Sequence, residues 1–139
     1  MNDKLLKFEE ELMIMLLAGE DSVLSMLREQ FESVNFFARE LTGVGFYLHF
    51  NMPKEIARIS DVLPSVKSNF CFGDVDATIE GLNNGAGFLI WIRNGYLTQL
   101  EGYTYGEKWP SQITDYKFYY RRGRRNIEGL HNKWVVSKK

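Results

Sequence analysis

A single cysteine, two histidines and three prolines are spread over 139 residues, and each scarcity removes a class of protein. One thiol, Cys71, can neither close an internal disulfide nor supply a multi-cysteine zinc site, which points to a reducing, cytoplasmic setting. Cys71 lies between Phe70 and Phe72 and reads as a buried thiol rather than a nucleophile. His49 and His131 are far apart and lack helical metal-ligand spacing, so no metal site and no cofactor is expected. The longest apolar runs, such as Met13–Ala18, fall well short of the roughly 20 residues that cross a bilayer. The opening residues carry charge, and Glu9, Glu10 and Glu11 interrupt any apolar core of a leader, so no signal peptide is expected. No nucleophile-elbow sequence is present. The glycine-rich stretch Gly81–Gly87 is followed by a strand pattern instead of a helix, which excludes dinucleotide binding.

What the chain does have is core material and an uneven charge distribution. At 45% hydrophobic and 14% aromatic it is a single folded domain spanning 1–139. The formal net charge is −1. Residues 1–116 carry nine basic and 17 acidic side chains, a net of −8, whereas 117–139 carry eight basic side chains against Glu128 alone, a net of +7. An acidic body with a basic tail is a dipolar molecule whose field steers partners.

Leu5, Phe8, Leu12, Met15 and Leu16 recur at helical spacing, and Gly19 ends that pattern. Asp21 or Ser22 can cap a second helix with Leu24, Leu27 and Phe31 as its buried stripe. From Val34 the pattern becomes strand-like. Val34–Leu41 and Val44–Asn51 flank Thr42-Gly43 as a hairpin, and 53–69 reads as a loop with one short helical turn. Asn69–Ile79 is a strand broken or bulged at Gly73. Asn94-Gly95 between Gly87–Arg93 and Tyr96–Tyr103 is the preferred type I′ hairpin turn. Tyr116–Arg121 forms a last strand, and 122–139 is a weakly specified basic tail with Trp134, Val135 and Val136 available to dock. The expected fold is α+β: a helical part over 1–32, then a mainly antiparallel, meandering sheet of about five to six strands over 34–121.

Four constellations could carry chemistry. A regular two-residue hairpin sets Ile92 opposite Leu97, Ile90 opposite Gln99 and Phe88 opposite Glu101. A carboxylate among apolar neighbours needs a partner or a raised pKa, which singles out Glu101; the plainer alternative is a solvated or paired group at the sheet rim. Asp74, Asp76, Thr78 and Glu80 alternate with Val75, Ala77 and Ile79. Such a polar face could hold a hard cation, but calcium-loop spacing is absent, and a solvated face or a patch for a protein partner is the simpler reading. The segment from Glu101 to Pro110 is dense in Tyr, Trp and Gly, so Tyr103, Tyr105, Glu107 and Trp109 suit a contact surface and equally suit core and edge positions. Arg121, Arg122, Arg124 and Arg125 after Tyr119-Tyr120 resemble a single-strand nucleic-acid hook, yet pairing of these arginines with the acidic strands or with a partner is the favoured reading.

With these residues in place, the chain resembles a family of small bacterial proteins without an established biochemical function. The likeness runs through Arg39-Glu40-Leu41-Thr42-Gly43-Val44-Gly45-Phe46, Gly73-Asp74-Val75, and Gly81-Leu82 followed by Gly85-Ala86-Gly87-Phe88. It ends on Leu100-Glu101-Gly102-Tyr103-Thr104-Tyr105 and Trp109-Pro110, so it spans roughly 37–110. The resemblance implies a cytoplasmic α+β protein, similar in size and style to immunity proteins of bacterial toxin systems, and carries no catalytic residues with it. The expectation is therefore a non-enzymatic binding protein for a protein partner, such as a basic toxin. Its candidate contacts are Arg39, Glu40, Asp74, Asp76, Glu80, Glu101, Tyr103, Tyr105, Glu107 and Trp109. The rival readings are a small-molecule-binding protein or enzyme with a carboxylate-lined pocket where Glu101, Asp74, Asp76 and Arg39 converge, and single-stranded nucleic-acid binding by the tail. An open sheet edge would leave room for a homodimer.

Overall fold

The computed structural model describes residues 3–136, and within them the chain is α+β. Helix α1 (Lys7–Leu16) buries Phe8, Leu12 and Leu16 as the spacing requires, with Met13 fully buried and the expected Met15 only half-buried. Helix α2 (Ser22–Glu32) begins at Asp21, whose carboxylate accepts from the Val23 and Leu24 amides at 2.8 and 3.3 Å. Strands β1 (Phe36–Leu41) and β2 (Gly45–Asn51) form the first hairpin, and the short helix α3 (Ile59–Val62) interrupts the loop that follows.

Gly73 divides the expected third strand into β3 (Phe70–Phe72) and β4 (Val75–Ile79). With β5 (Ala86–Arg93), β6 (Tyr96–Thr104) and β7 (Tyr116–Tyr120) this gives seven antiparallel strands, where five to six were expected. Their order is β1-β2-β6-β5-β4-β7, with β3 also on β5. The meander is thus interrupted twice, because β6 inserts beside β2 and β7 returns to β4. The tail is built in. Helix α4 (Ile127–Trp134) buries Leu130 and Trp134, and the Trp134 ring packs on Phe70 and Phe72 at 5.9 and 5.2 Å.

The β5–β6 turn is as expected, with positive φ at Asn94 (54°) and Gly95 (78°). The register beyond it is not. Ile92 pairs with Leu97, but a bulge opposite Trp91 and Ile92 then sets Ile90 against Leu100, Leu89 against Glu101 and Phe88 against Gly102. Leu97 and Leu100 are both fully buried, and strand alternation cannot point residues three apart to one side. One extra residue, Thr98, resolves the conflict and turns Gln99 and Glu101 to the opposite face.

The helices share one face of the sheet, and the sheet curls around them. Phe8 of α1 meets Phe88 of β5 at 5.8 Å and Tyr116 and Phe118 of β7 at 4.9 Å, while its neighbour Glu9 reaches Arg39 of β1. One turn of α1 therefore touches both edge strands. Its buried residues join those of α2, α4 and the sheet in one apolar cluster. Among the described residues no helix is long and apolar enough to cross a membrane.

Candidate functional site

The side of the sheet away from the helices carries a continuous row of aromatic and charged side chains. Register places Glu40, Tyr47, Glu101 and Leu89 side by side on β1, β2, β6 and β5. Ala38, His49, Gln99 and Trp91 form the adjacent row. Glu101 finds its partner here: the Trp91 indole N–H donates to its carboxylate at 2.9 Å. The charge of Glu101, more than burial, raises the pKa of the Tyr47 phenol. Tyr47 stacks on His49 with ring centres 6.0 Å apart, and His49 Nε2 lies 3.0 Å from the Glu40 carboxylate. The Arg93 guanidinium sits over the Trp91 ring at 4.8 Å, a cation–π contact at the end of the row.

A second cluster continues along the same face. Asp76, Gly87, Tyr103 and Gly45 are aligned across β4, β5, β6 and β2. Asp76 accepts two bonds from Arg121, at 3.0 and 2.9 Å, and this pair raises the arginine's already high pKa. Tyr103 and Tyr105 meet edge-on at 5.7 Å beside it. Burial, then the Asp76 charge, raises the pKa of Tyr105. Glu40, Asp76, Glu101, Tyr103 and Tyr105 thus belong to one surface.

The other candidate residues lie elsewhere. Asp74 accepts two bonds from Arg125, both at 3.0 Å, and Arg125 also donates to the Leu16 and Ala18 carbonyls at the end of α1. Glu107 accepts from the Asn83 and Asn84 amides at 3.0 and 3.1 Å and so ties down the 81–85 turn. Glu80 is exposed at the end of β4. Arg39 grips Glu9, donating from Nε and Nη2 at 2.7 and 2.5 Å, and this bond raises the arginine's pKa. Glu9 is only 1% exposed and was not singled out from sequence, because three consecutive glutamates read as the solvated side of a helix. Trp109 packs edge-on against Phe8 and tilted against Phe46, at 6.4 and 5.1 Å. Arg39 and Trp109 share the wall of a groove of about 760 Å³ between the start of α1, the β1–β2 turn and the 108–114 loop.

Glu101, Asp74, Asp76 and Arg39 therefore do not line one pocket. Among the described residues no group of three or more His, Cys, Asp or Glu is placed to hold a metal ion. Of the tail arginines, Arg121 and Arg125 are engaged with Asp76 and Asp74, while Arg122 and Arg124 are exposed. Trp91, the partner of Glu101, was missed as a site residue because the regular hairpin register put the two on opposite faces. No family model, no curated protein and no solved structure matches the chain.

Proposed function

We propose that the chain is a non-enzymatic, immunity-like binding protein that holds a basic protein partner, such as a toxin, against the helix-free face of its sheet. The observation that carries this reading is the row Glu40, Tyr47, Glu101 with Trp91 of the adjacent row bonded to Glu101, which sets carboxylates among broad aromatic rings on a side that no helix covers among the described residues. Trp and Tyr supply contact area at low entropic cost, and carboxylates beside them select cationic side chains. Glu40, Asp74, Asp76, Glu101 and Glu107 are tied into separate local contacts instead of being gathered around one cavity, which suits recognition better than acid–base chemistry. A reducing, cytoplasmic setting accords with the lone Cys71.

The test begins with a protein encoded beside this chain, or recovered with it from its native host. Its association rate should fall as salt rises, because complementary charge accelerates encounter and is screened within about 10 Å at 0.1 M. Trp91→Ala, Tyr105→Ala and Glu40→Lys should each weaken the complex about tenfold or more, the cost of removing a contact of at least about 1.4 kcal/mol. A tight complex indifferent to all three substitutions would show that another surface is used.

A further inference from the structure

The groove walled by Arg39 and Trp109 has a chemistry opposite to that of the body around it. Residues 1–116 hold nine basic and 17 acidic side chains. Three of those nine basic residues, Lys7, Arg39 and Lys108, line this single groove, against one of the acids, Glu9. Glu9 is buried and held by Arg39 and by the Leu6 amide, so Arg39 and Glu9 form a neutral pair and the positive charge offered to an occupant is that of Lys7 and Lys108. Arg39 commits Nε and Nη2 to Glu9 and to the Lys4 carbonyl, and its Nη1 makes no hydrogen bond among the described residues. Among the described residues Lys7 meets Glu11 alone, at 3.9 Å on an exposed helix face, which constrains it little.

Beneath this basic rim the lining is mainly apolar, with Ser111, Gln112 and Thr114 as polar members along the loop. Phe8, Phe46, Trp109 and Tyr116 form the floor, and Leu6 and Leu41 stand at the edges, 48% and 71% exposed. Large apolar side chains left in water beside a cleft mark a surface that a ligand covers. A volume of about 760 Å³ lies within the range of roughly 300–1,000 Å³ common to small-molecule sites. An apolar floor under a positive rim selects a molecule with an apolar body and one anionic head. We infer that this groove is a binding site for a small amphiphilic carboxylate, a medium-chain or aryl carboxylic acid in solution, its carboxylate at the lysine rim and its body against Trp109. The site is separate from the helix-free face, so it stands whether or not that face holds a protein.

The probe is decanoate, titrated into the whole chain while the Trp109 indole and Ile113 amide resonances are followed. Decan-1-ol serves as the uncharged match and decyltrimethylammonium as the cationic one. Decanoate should move both resonances saturably and bind about tenfold tighter than decanol, with the cation weakest. Reversing two exposed charges, Lys7→Glu with Lys108→Glu, should weaken decanoate about tenfold and leave decanol within about twofold, the scale expected of solvent-exposed ion pairs. Equal binding of decanoate and decanol would overturn the charge argument. Shifts confined to Trp91 or Trp134, or no saturable shift at all, would overturn the site.

Discussion

Arg125 offers a direct measure of how far the basic tail belongs to the fold. Its side chain is 7% exposed and makes four hydrogen bonds: two to Asp74 at 3.0 Å, and one each to the Leu16 and Ala18 carbonyls at 2.5 and 2.6 Å. It also lies over the rings of Tyr120 and Phe72, at 5.4 and 5.9 Å. The Leu16 carbonyl is an acceptor that the last turn of α1 leaves without an intrahelical partner, the Ala18 carbonyl lies just beyond it, and a cation there is favoured by the helix dipole. Arg125→Ala strands both carbonyls and the Asp74 charge. Removing one partner of a buried pair costs about 3–5 kcal/mol; since the Asp74 side chain keeps 23% of its exposure, about 2–4 kcal/mol is expected. With an unfolding entropy near 2.1 cal/mol/K per residue, a chain of this length loses about 3 °C of Tm per kcal/mol, so Tm should fall by about 6–12 °C. Arg125→Lys keeps the charge but not the planar fork and should lose about half as much. Thermal melts and urea titrations followed by circular dichroism read both, with exposed Arg124→Ala as the control expected within about 0.5 kcal/mol of the parent. If Arg125→Ala melts with Arg124→Ala, the tail is not anchored as described.

Other substitutions test other parts of the structure. The buried amide of Gln30 bonds the Ala57 and Gly95 carbonyls at 3.1 Å and takes the Leu97 N–H at 2.7 Å, clamping α2 to the β5–β6 turn. Gln30→Leu should therefore cost about 2–4 kcal/mol by urea denaturation, and a loss below about 1 kcal/mol would mean the three backbone groups find other partners. Gly45→Ala would drive a methyl group into the Gly102 carbonyl on the neighbouring strand, so it should lower the urea midpoint by the equivalent of about 1–3 kcal/mol; an unchanged midpoint refutes the close approach of β2 and β6. Tyr47, Tyr105, Tyr116 and Tyr120 all hold their phenolic protons more tightly folded than unfolded, Tyr47 through the Glu101 charge and the other three chiefly through burial. Stability is then full below about pH 10 and falls as pH rises through the raised folded values, visible as a declining urea midpoint that Tyr47→Phe makes less steep. A midpoint that rises above pH 10 would reverse that sign.

Local chemistry was legible in the sequence wherever neighbours in the chain decide the outcome. The Asn94-Gly95 turn, the Asp21 cap and the α1 stripe each depend on residues within one turn or hairpin. The Thr98 bulge was hidden because it answers to burial: Leu97 and Leu100 must both reach the core, and only the helices packed beneath impose that demand. With the register went the site, since Trp91 and Glu101 become partners only after the bulge turns Glu101 outward. The charge asymmetry was legible as a sum, but its meaning needed the topology that lays β7 against β4. That pairing brings Arg121 to Asp76, and the turn after it brings Arg125 to Asp74, across intervals of 45 and 51 residues. Two arginines of the basic tail and two acids of the body thus neutralise each other within the fold. Two of the acids expected to attract a partner are consumed by this pairing, and on the helix-free face Glu101 and Glu40 remain, held by an indole N–H and by His49. The indole N–H is uncharged and leaves the Glu101 charge uncancelled, so under the proposed reading the attraction of a basic partner rests on these two carboxylates.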